Sequence, residues 1–594
     1  MQSPLRDDFL EHLSNILPSL VTYIIMGTRS SSLAVILVAS RVVDCFPNIS
    51  RPLPLATRRT TTSTKIVMAT TKTDDSWTPG NIQQSEEARE KLLVWPLDQY
   101  NAKLLNEVHP RGYKHDVNPH PVYDLIAIGA GAGGLVSSRQ SARRGAKSAM
   151  ISEHLAGGDC LNTGCVPSKA IIRSARAVQE VKRATEFGIV GVHADDIKVD
   201  FAQVMERVRR LRAKIAPADS HAGTETAGAH VFQGRGRLTG PNTVEVNGQT
   251  LEFKICVLAT GGRPGVPNIP GLKDAPYTTN EQLFNLEALP PRMVILGAGV
   301  VALEMAQTFS ILGSKVTVIN RSPRLFASKH GDAEAAELIE QSLNSEGVIF
   351  RHDSKVDKVE TLRQGGQLPG DFPLMKITIG AESLECECLL VATGRLANVE
   401  DLGLEAGGVE YKPGEGVVVN DLCQSVSNPS VYAVGDCVAG VPRLTHMSGE
   451  MAKMVVQNGL AGDNWKLSSL VVPQVMYTEP EYATVGIASI EQAQRAGLEV
   501  DVYKTGLEHN DRAILESSNI GFCKVVAKKG SGEILGATIV AERAGEMINE
   551  VSLAIKYNIG LFELGRNIHS YPTTGECVQF CGIQYVNKNL PRLD

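Results

Sequence analysis

The residues best equipped for chemistry in this sequence are Cys160 and Cys165, in the stretch Gly157-Gly-Asp-Cys-Leu-Asn-Thr-Gly-Cys-Val-Pro-Ser-Lys169. In a regular helix, residues five apart have Cα atoms about 8 Å apart at roughly 1.5 Å rise each, beyond the ~7 Å a disulfide can span. A bridge between them therefore requires a distorted helix start. Gly158 and Gly164 supply the backbone freedom, and Pro167 removes an amide donor just after the second cysteine. Two buried thiols without a partner would be the ordinary reading in an intracellular protein. Their position argues instead for a redox-active pair, because they directly follow a dinucleotide-binding pattern.

That pattern opens with the apolar run Tyr123–Ile128, which enters Gly129-Ala-Gly131-Ala-Gly-Gly134. A helix-compatible stretch and a second apolar run, Ser148–Ser152, follow and end at Glu153. This spacing places a carboxylate where ribose hydroxyls can donate to it, while amides at the helix start receive a pyrophosphate. A second run, Met293–Leu296, enters Gly297-Ala-Gly299-Val-Val-Ala302 and is followed by Lys315–Ile319. It ends in Asn320-Arg321-Ser322-Pro323-Arg324, with no acid. A carboxylate suits the 2′-hydroxyl of NAD and guanidinium groups suit a 2′-phosphate, so Arg321 and Arg324 predict NADPH. NADH is the alternative, should Arg321 only face water.

The cysteine segment with its preceding fingerprint resembles the class I pyridine nucleotide-disulfide oxidoreductases, which include dihydrolipoamide dehydrogenase, glutathione reductase and mercuric reductase. The resemblance runs from about Pro96 to the C-terminus. It implies an α/β fold with two Rossmann-like nucleotide-binding domains, the NADP-binding domain inserted in the FAD-binding domain, and a C-terminal α+β dimerisation domain. The corresponding boundaries are 91–285 and 390–466 for the FAD domain, 286–389 for the NADP domain and 467–594 for dimerisation. By the same resemblance Gly129, Gly131, Gly134 and Glu153 bind the ADP half of FAD. Cys160 meets the substrate, Cys165 lies against the flavin, Lys169 sits near flavin N5 and Glu304 pairs with Lys169. Gly261, in Ala259-Thr-Gly261, belongs to the FAD site, and Gly394, in Ala392-Thr-Gly-Arg395, to the NADP site alongside Gly297, Gly299 and Ala302. Both stretches mark where the chain passes between the domains. Asp436, ending the run Val431–Cys437, accepts from the flavin ribityl chain, a role compatible with a helix N-cap. His446 is read either as lining the flavin ring or as a core histidine.

The match strains near the C-terminus, where the disulfide reductases carry HxHPTxxE with the second His as acid/base and the Glu orienting it. This chain reads His569-Ser-Tyr571-Pro-Thr-Thr-Gly-Glu576. Tyrosine titrates near 10 against about 6.5 for histidine and is a poor base at neutral pH, although it donates hydrogen bonds well. Tyr571 and the Asn-Arg-Ser strand end are similar to mercuric reductase-like members, which favours Hg²⁺ as acceptor, with a disulfide (lipoamide or glutathione) second and His569 as its candidate base. The tail lacks the vicinal cysteines of mercuric reductase. Cys577 and Cys581, spaced to share a helix face, either replace them or, the favoured reading, are core thiols. Cys45, Cys256, Cys386, Cys388, Cys423, Cys437 and Cys523 are read as structural. The non-enzymatic alternative is a redox-sensing nucleotide-binding dimer.

The elements positioning these residues need a large body. The chain has 594 residues, room for three or four domains of roughly 150 residues. With 43% hydrophobic and 21% charged residues it has a soluble globular composition. A net charge of −6 without long basic runs gives no nucleic-acid footprint, so a small molecule is the better expected partner; the resemblance adds a metal ion as acceptor and a second copy of the chain as partner. No resident metal is expected. Residues 1–90 read as a targeting or disordered extension, with the ordered lead-in beginning near Leu92. Leu33–Ala39 is too short to span a membrane, and stable insertion is not expected. Cys45 to Thr73 lacks Asp and Glu but carries five Lys or Arg, as transit peptides do. The location is then a mitochondrion or plastid; if the chain starts instead at Met26 or Met68, it is cytoplasmic.

Overall fold

A computed structural model describes residues 76–80, 85–113, 118–327, 331–366 and 368–590. The import signals expected in residues 1–75 lie outside these. Ordered packing begins before Leu92, since Trp77 and Ala88 are already buried. The Trp77 indole donates to the carbonyl of His109 at 2.8 Å, and Arg111 stacks on its ring. Helix α1 (Gln99–Val108) starts at Asp98, whose carboxylate accepts from the amides of Tyr100 and Asn101. Its buried Leu104, Leu105 and Val108 share a core with Leu155, Ala156 and Leu161 of the cysteine region.

The first sheet is built on strand Tyr123–Ile128, flanked in parallel by Ser148–Ser152 and Gln249–Leu258. His230–Gln233 adds beyond Ser148–Ser152, and Val431–Ala433 pairs with the far half of Gln249–Leu258. The near half of that ten-residue strand pairs antiparallel with Thr243–Val246. Helix α2 (Ala132–Arg143) follows the first strand, and the central strands are nearly wholly apolar because both faces are covered. The cysteine segment forms a short helix α3 (Gly158–Asn162), a break at Thr163 and Gly164, and helix α4 (Cys165–Lys182). Helix α5 (Phe201–Ile215) packs against both the lead-in and α4.

A second, wholly parallel sheet has the order Ile349–Arg351, Lys315–Ile319, Arg292–Leu296, Cys388–Val391, with helix α6 (Val300–Leu312) after its third member. A three-stranded antiparallel sheet is formed by Lys358–Arg363, Leu374–Ile379 and Glu382–Cys386. The chain enters and leaves this region through Gly262–Pro264 and Arg395–Ala397, which pair with each other. Helix α7 (Thr445–Ala461) returns to pack on α2. The last third is a five-stranded antiparallel sheet in the order 474–476, 481–486, 534–541, 522–528, 500–506, with helices α8 (Ala544–Lys556) and α9 (Glu576–Asn589) against it. It also holds three short helices, at 490–495, 511–515 and 561–566. Two of the three start at side-chain caps, Ser489 and Asn510, that compensate for their lack of length. No described helix is long and apolar enough to cross a membrane.

Candidate active site

The predicted distortion is what brings the two cysteines together. A Cβ at Gly164 would lie 2.8 Å from the carbonyl oxygen of Asp159, so only glycine lets the chain double back between α3 and α4. Asn280 fixes the turn by donating to the carbonyl of Thr163 at 3.1 Å. Both thiols are free and close enough that each shifts the other's ionisation. Cys165 Sγ also lies 3.3 Å from Thr445 Oγ1, at the start of α7. Hydrogen bonding from Cys160 and Thr445, helped by the charge of the nearby Lys169 cation, outweighs desolvation and draws the Cys165 thiol down to about 6. Cys160, sharing its proton with that partner and half-buried, is pushed up. The pair thus ionises first at Cys165.

One turn along α4, Lys169 Nζ is 3.0 and 2.9 Å from the two oxygens of Glu304 on α6. Glu304 is buried and also accepts from the amide of Tyr477, whose ring lies under the lysine ammonium at 4.4 Å. Thr445 and Tyr477 carry no motif and were not singled out in the sequence. Their only signal is tertiary, since each meets the cysteine helix or its ion pair from the distant return of the chain.

The two glycine fingerprints form cradles that fit dinucleotides. Gly129 and Gly297 have φ of +113° and +105°, and a Cβ on either would strike the carbonyl of Ala259 or Ala392 on the crossing strand end. Gly134 packs on the carbonyl of Gly129, and buried Ala302 fills the equivalent place in α6. A Cβ would meet only Gly158 Cα, at 3.8 Å, from Gly131 and nothing within 4 Å from Gly299. Helices α2 and α6 start without side-chain caps or first-turn acids, leaving amides for a diphosphate.

Around the first cradle the predicted acids are engaged by arginines. Glu153 pairs with Arg235 at 2.9 Å. Asp436 Oδ2 accepts from Arg395 Nε at 3.1 Å, and the same guanidinium pairs with Asp159. Asp436 lies inside the turn 435–437, whose N-cap is Val434, and its carboxylate accepts from Arg395, which removes its N-cap reading. Gly261 and Gly394, with φ of +69° and +135°, form the bends at the domain crossing. In the second cradle Arg321 is exposed with no hydrogen bond or ion pair among the described residues, whereas Arg324 donates to the carbonyls of Leu325 and Gly331. His446 is exposed, its Nε2 2.8 Å from the carbonyl of Pro473, so the core-histidine reading fails.

Tyr571 and His569 make no contact with either cysteine among the described residues of the protomer. Tyr571 is 72% exposed and donates to Asp511 Oδ2 at 2.8 Å, which raises its own titration point. The carboxylate holding His569 is Glu550 on α8, at 3.0 Å, and not Glu576. Glu576 instead accepts from the amide of Thr573, closing the turn at the start of α9. Cys577 and Cys581 are fully buried against Cys523, so they do not replace tail thiols that would have to be exposed. Cys256, Cys386, Cys388, Cys423 and Cys437 are buried as well; Cys45 lies outside the described residues.

A paired thiol, an adjoining buried ion pair and two dinucleotide cradles define a nucleotide-dependent dithiol oxidoreductase. The chain belongs to the pyridine nucleotide-disulphide oxidoreductase family, whose profile matches residues 123–452, with the family's dimerisation domain at 472–580. Members of this family use FAD and NAD(P)H. The chain is 32% identical over 463 residues to a mercuric reductase of Lysinibacillus sphaericus, covering 78% of this chain and 82% of that protein. It is 34% identical over 457 residues to a dihydrolipoyl dehydrogenase of Thermus scotoductus, covering 76% and 95%. Among solved structures it shares its fold with the HOCl-induced flavoprotein disulfide reductase RclA from Escherichia coli, with a TM-score of 0.67 at 23% identity, covering 77% of this chain and 98% of that one.

Proposed function

We propose that the chain is an NADPH-dependent reductase of mercuric ion, working through the Cys160–Cys165 dithiol. The observation that carries the dithiol part is the pair of free cysteines set on either side of the Gly164 turn, with Thr445 on Cys165 and the Lys169–Glu304 pair one turn along the same helix. The units are those read from the sequence, with Gly129, Gly131, Gly134, Glu153, Gly261 and Asp436 serving FAD, and Gly297, Gly299, Ala302, Arg321, Arg324 and Gly394 serving the nicotinamide nucleotide. Arg321, which has no hydrogen bond or ion pair among the described residues, favours a 2′-phosphate. Bound FAD would relay the two electrons of NADPH to the disulfide. Lys169, held by Glu304, keeps a cation beside Cys165. Cys160, the thiol farther from that cation, offers itself to the acceptor.

Mercuric ion is favoured because Tyr571 replaces the acid/base histidine and, hydrogen-bonded to Asp511, titrates too high to accept a thiol proton near neutrality. A dithiolate is a soft two-ligand site suited to Hg²⁺, and two electrons take the ion to Hg⁰. Tyr571 and His569 are supplied by the second protomer of a homodimer, consistent with the exposed apolar face of Ile568, Tyr571 and Phe562 around them. A disulfide acceptor is the second reading, and the His569–Glu550 contact favours it by supplying an oriented imidazole.

The test is anaerobic NADPH titration of the flavoprotein, followed by Hg²⁺ with excess small thiol, oxidised lipoamide or oxidised glutathione. A long-wavelength thiolate-to-flavin band on two-electron reduction, with catalytic reoxidation by Hg²⁺ alone, is the expected result. Turnover of a disulfide undiminished by Tyr571→Phe transfers the assignment to the second reading. Absence of the band sinks the dithiol mechanism, and full function of Cys160→Ser in cells points to a redox-sensing scaffold.

A further inference from the structure

Helix α3, which carries Cys160, is only five residues long and cannot hold its shape alone. Its supports come from the lead-in before the first strand and from helix α5. Leu161 packs into the lead-in core, and the amide of Ala156 donates to the carbonyl of Val108 at 3.0 Å. Beneath the helix lies Arg212 of α5, 2% exposed. Its Nη1 donates to the carbonyl of Asn162, the last residue of α3, at 2.7 Å. Its Nη2 donates to Asn101 Oδ1 on lead-in helix α1 at 2.6 Å. Asn162 in turn donates to the carbonyls of Ala156 and Gly158, bracing the segment before Cys160.

Arg212 is a costly way to fill that space. The nearby carboxylate, Asp98, is bonded to Arg209 at 2.6 Å, and among the described residues Arg212 has no ion pair of its own. Its Nε is buried without a partner. A buried cation without a carboxylate is usually less stable than an apolar side chain of similar size, so such groups are retained for geometry. The geometry gained here is a link from the lead-in, which precedes the family's own domain at residue 123, to the helix carrying one cysteine of the pair.

We infer that Arg212 is a positioning residue that, through Asn101 and Asn162, holds Cys160 within reach of Cys165 and thereby sets how stable their disulfide is. The inference rests on reading these cysteines as the redox pair. Cys165 needs no such help, because its helix is long and tied down by the Lys169–Glu304 pair. A disulfide is as stable as its two thiols are mutually concentrated. Loosening α3 lowers that concentration and makes the bond easier to reduce.

The test equilibrates the FAD-bound, full-length protein with mixtures of dithiothreitol and its cyclic disulfide. One dithiothreitol passes two electrons and two protons to the protein, breaking the Cys160–Cys165 bond and closing its own. The exchange is stopped with an alkylating agent, and the alkylated cysteines are counted by mass spectrometry. Arg212→Met is expected to lower the thiol–disulfide equilibrium constant about tenfold, a ~30 mV shift to a less negative midpoint. Arg212→Lys, which keeps one donor, restores part of it. Asn101→Leu, which leaves the cation in place, shifts the midpoint in the same direction and decides the matter if Arg212→Met does not fold. A wild-type midpoint in Asn101→Leu and, where it folds, in Arg212→Met overturns the inference alone. A wild-type chain with no titratable disulfide overturns the dithiol reading and this inference with it.

Discussion

Proton sharing between Cys160 and Cys165 leaves the charge on the sulfur that has the most donors. Thr445 is the one donor that can be removed without touching the pair or its cation. Loss of a hydrogen bond to the thiolate favours the thiol, so Thr445→Val should raise the Cys165 titration above about 6, and the thiolate-to-flavin band should then need a higher pH to develop. The check is a pH titration of that band in reduced wild type and variant; an unmoved midpoint removes Thr445 from the site. Tyr571→Phe takes away a single donor and no base. It should slow Hg²⁺ turnover about tenfold, the worth of one hydrogen bond to a charged group, with FAD content unchanged.

Segment 477–481 ties α6 to α4. Gln307 of α6 exchanges two 2.7 Å hydrogen bonds with the backbone of Glu479, while Arg176 of α4 pairs with Glu479 at 2.9 Å and with Glu481 at 3.1 Å. One guanidinium serves two carboxylates, and burial, partly offset by Arg176, pushes Glu479 up to about 7. A carboxyl whose folded value exceeds its unfolded one contributes stability below about 4.5, and loses it as pH rises through 7. Glu479→Gln is therefore expected to raise Tm at pH 8 and leave it nearly unchanged at pH 4.5, measured by calorimetry. At this scale the sequence was legible where the physics is local. The α3–α4 break follows from two glycines within seven residues, and both cradles from glycine spacing after an apolar strand. Thr445, 280 positions from Cys165, and Arg212, within an ordinary amphipathic helix, gave no local sign because only tertiary packing gives them their partners. His569 was legible as a residue but not its carboxylate: Glu576 stood in the motif, whereas helix α8 supplies Glu550.

In the whole molecule the two halves of the proposed site lie on surfaces that one chain does not bring together. Mixing Cys160→Ser protomers with Tyr571→Phe/His569→Gln protomers should regain about a quarter of wild-type activity, since half the dimers are mixed and each contains one undamaged site. No recovery after exchange would place both halves in one chain. The crossing between nucleotide-binding regions has a different consequence. Gly262–Pro264 and Arg395–Ala397 run side by side, and the amide of Gly265 donates to the carbonyl of Gly394 at 2.9 Å, so the inserted segment begins and ends at one zipped stem. The inserted segment is thus a cassette hung from one stem and held to its host by Asn280, Glu304 and Gln307, so exchanging coenzyme preference by grafting another such cassette onto the same two strands requires that those three contacts be kept.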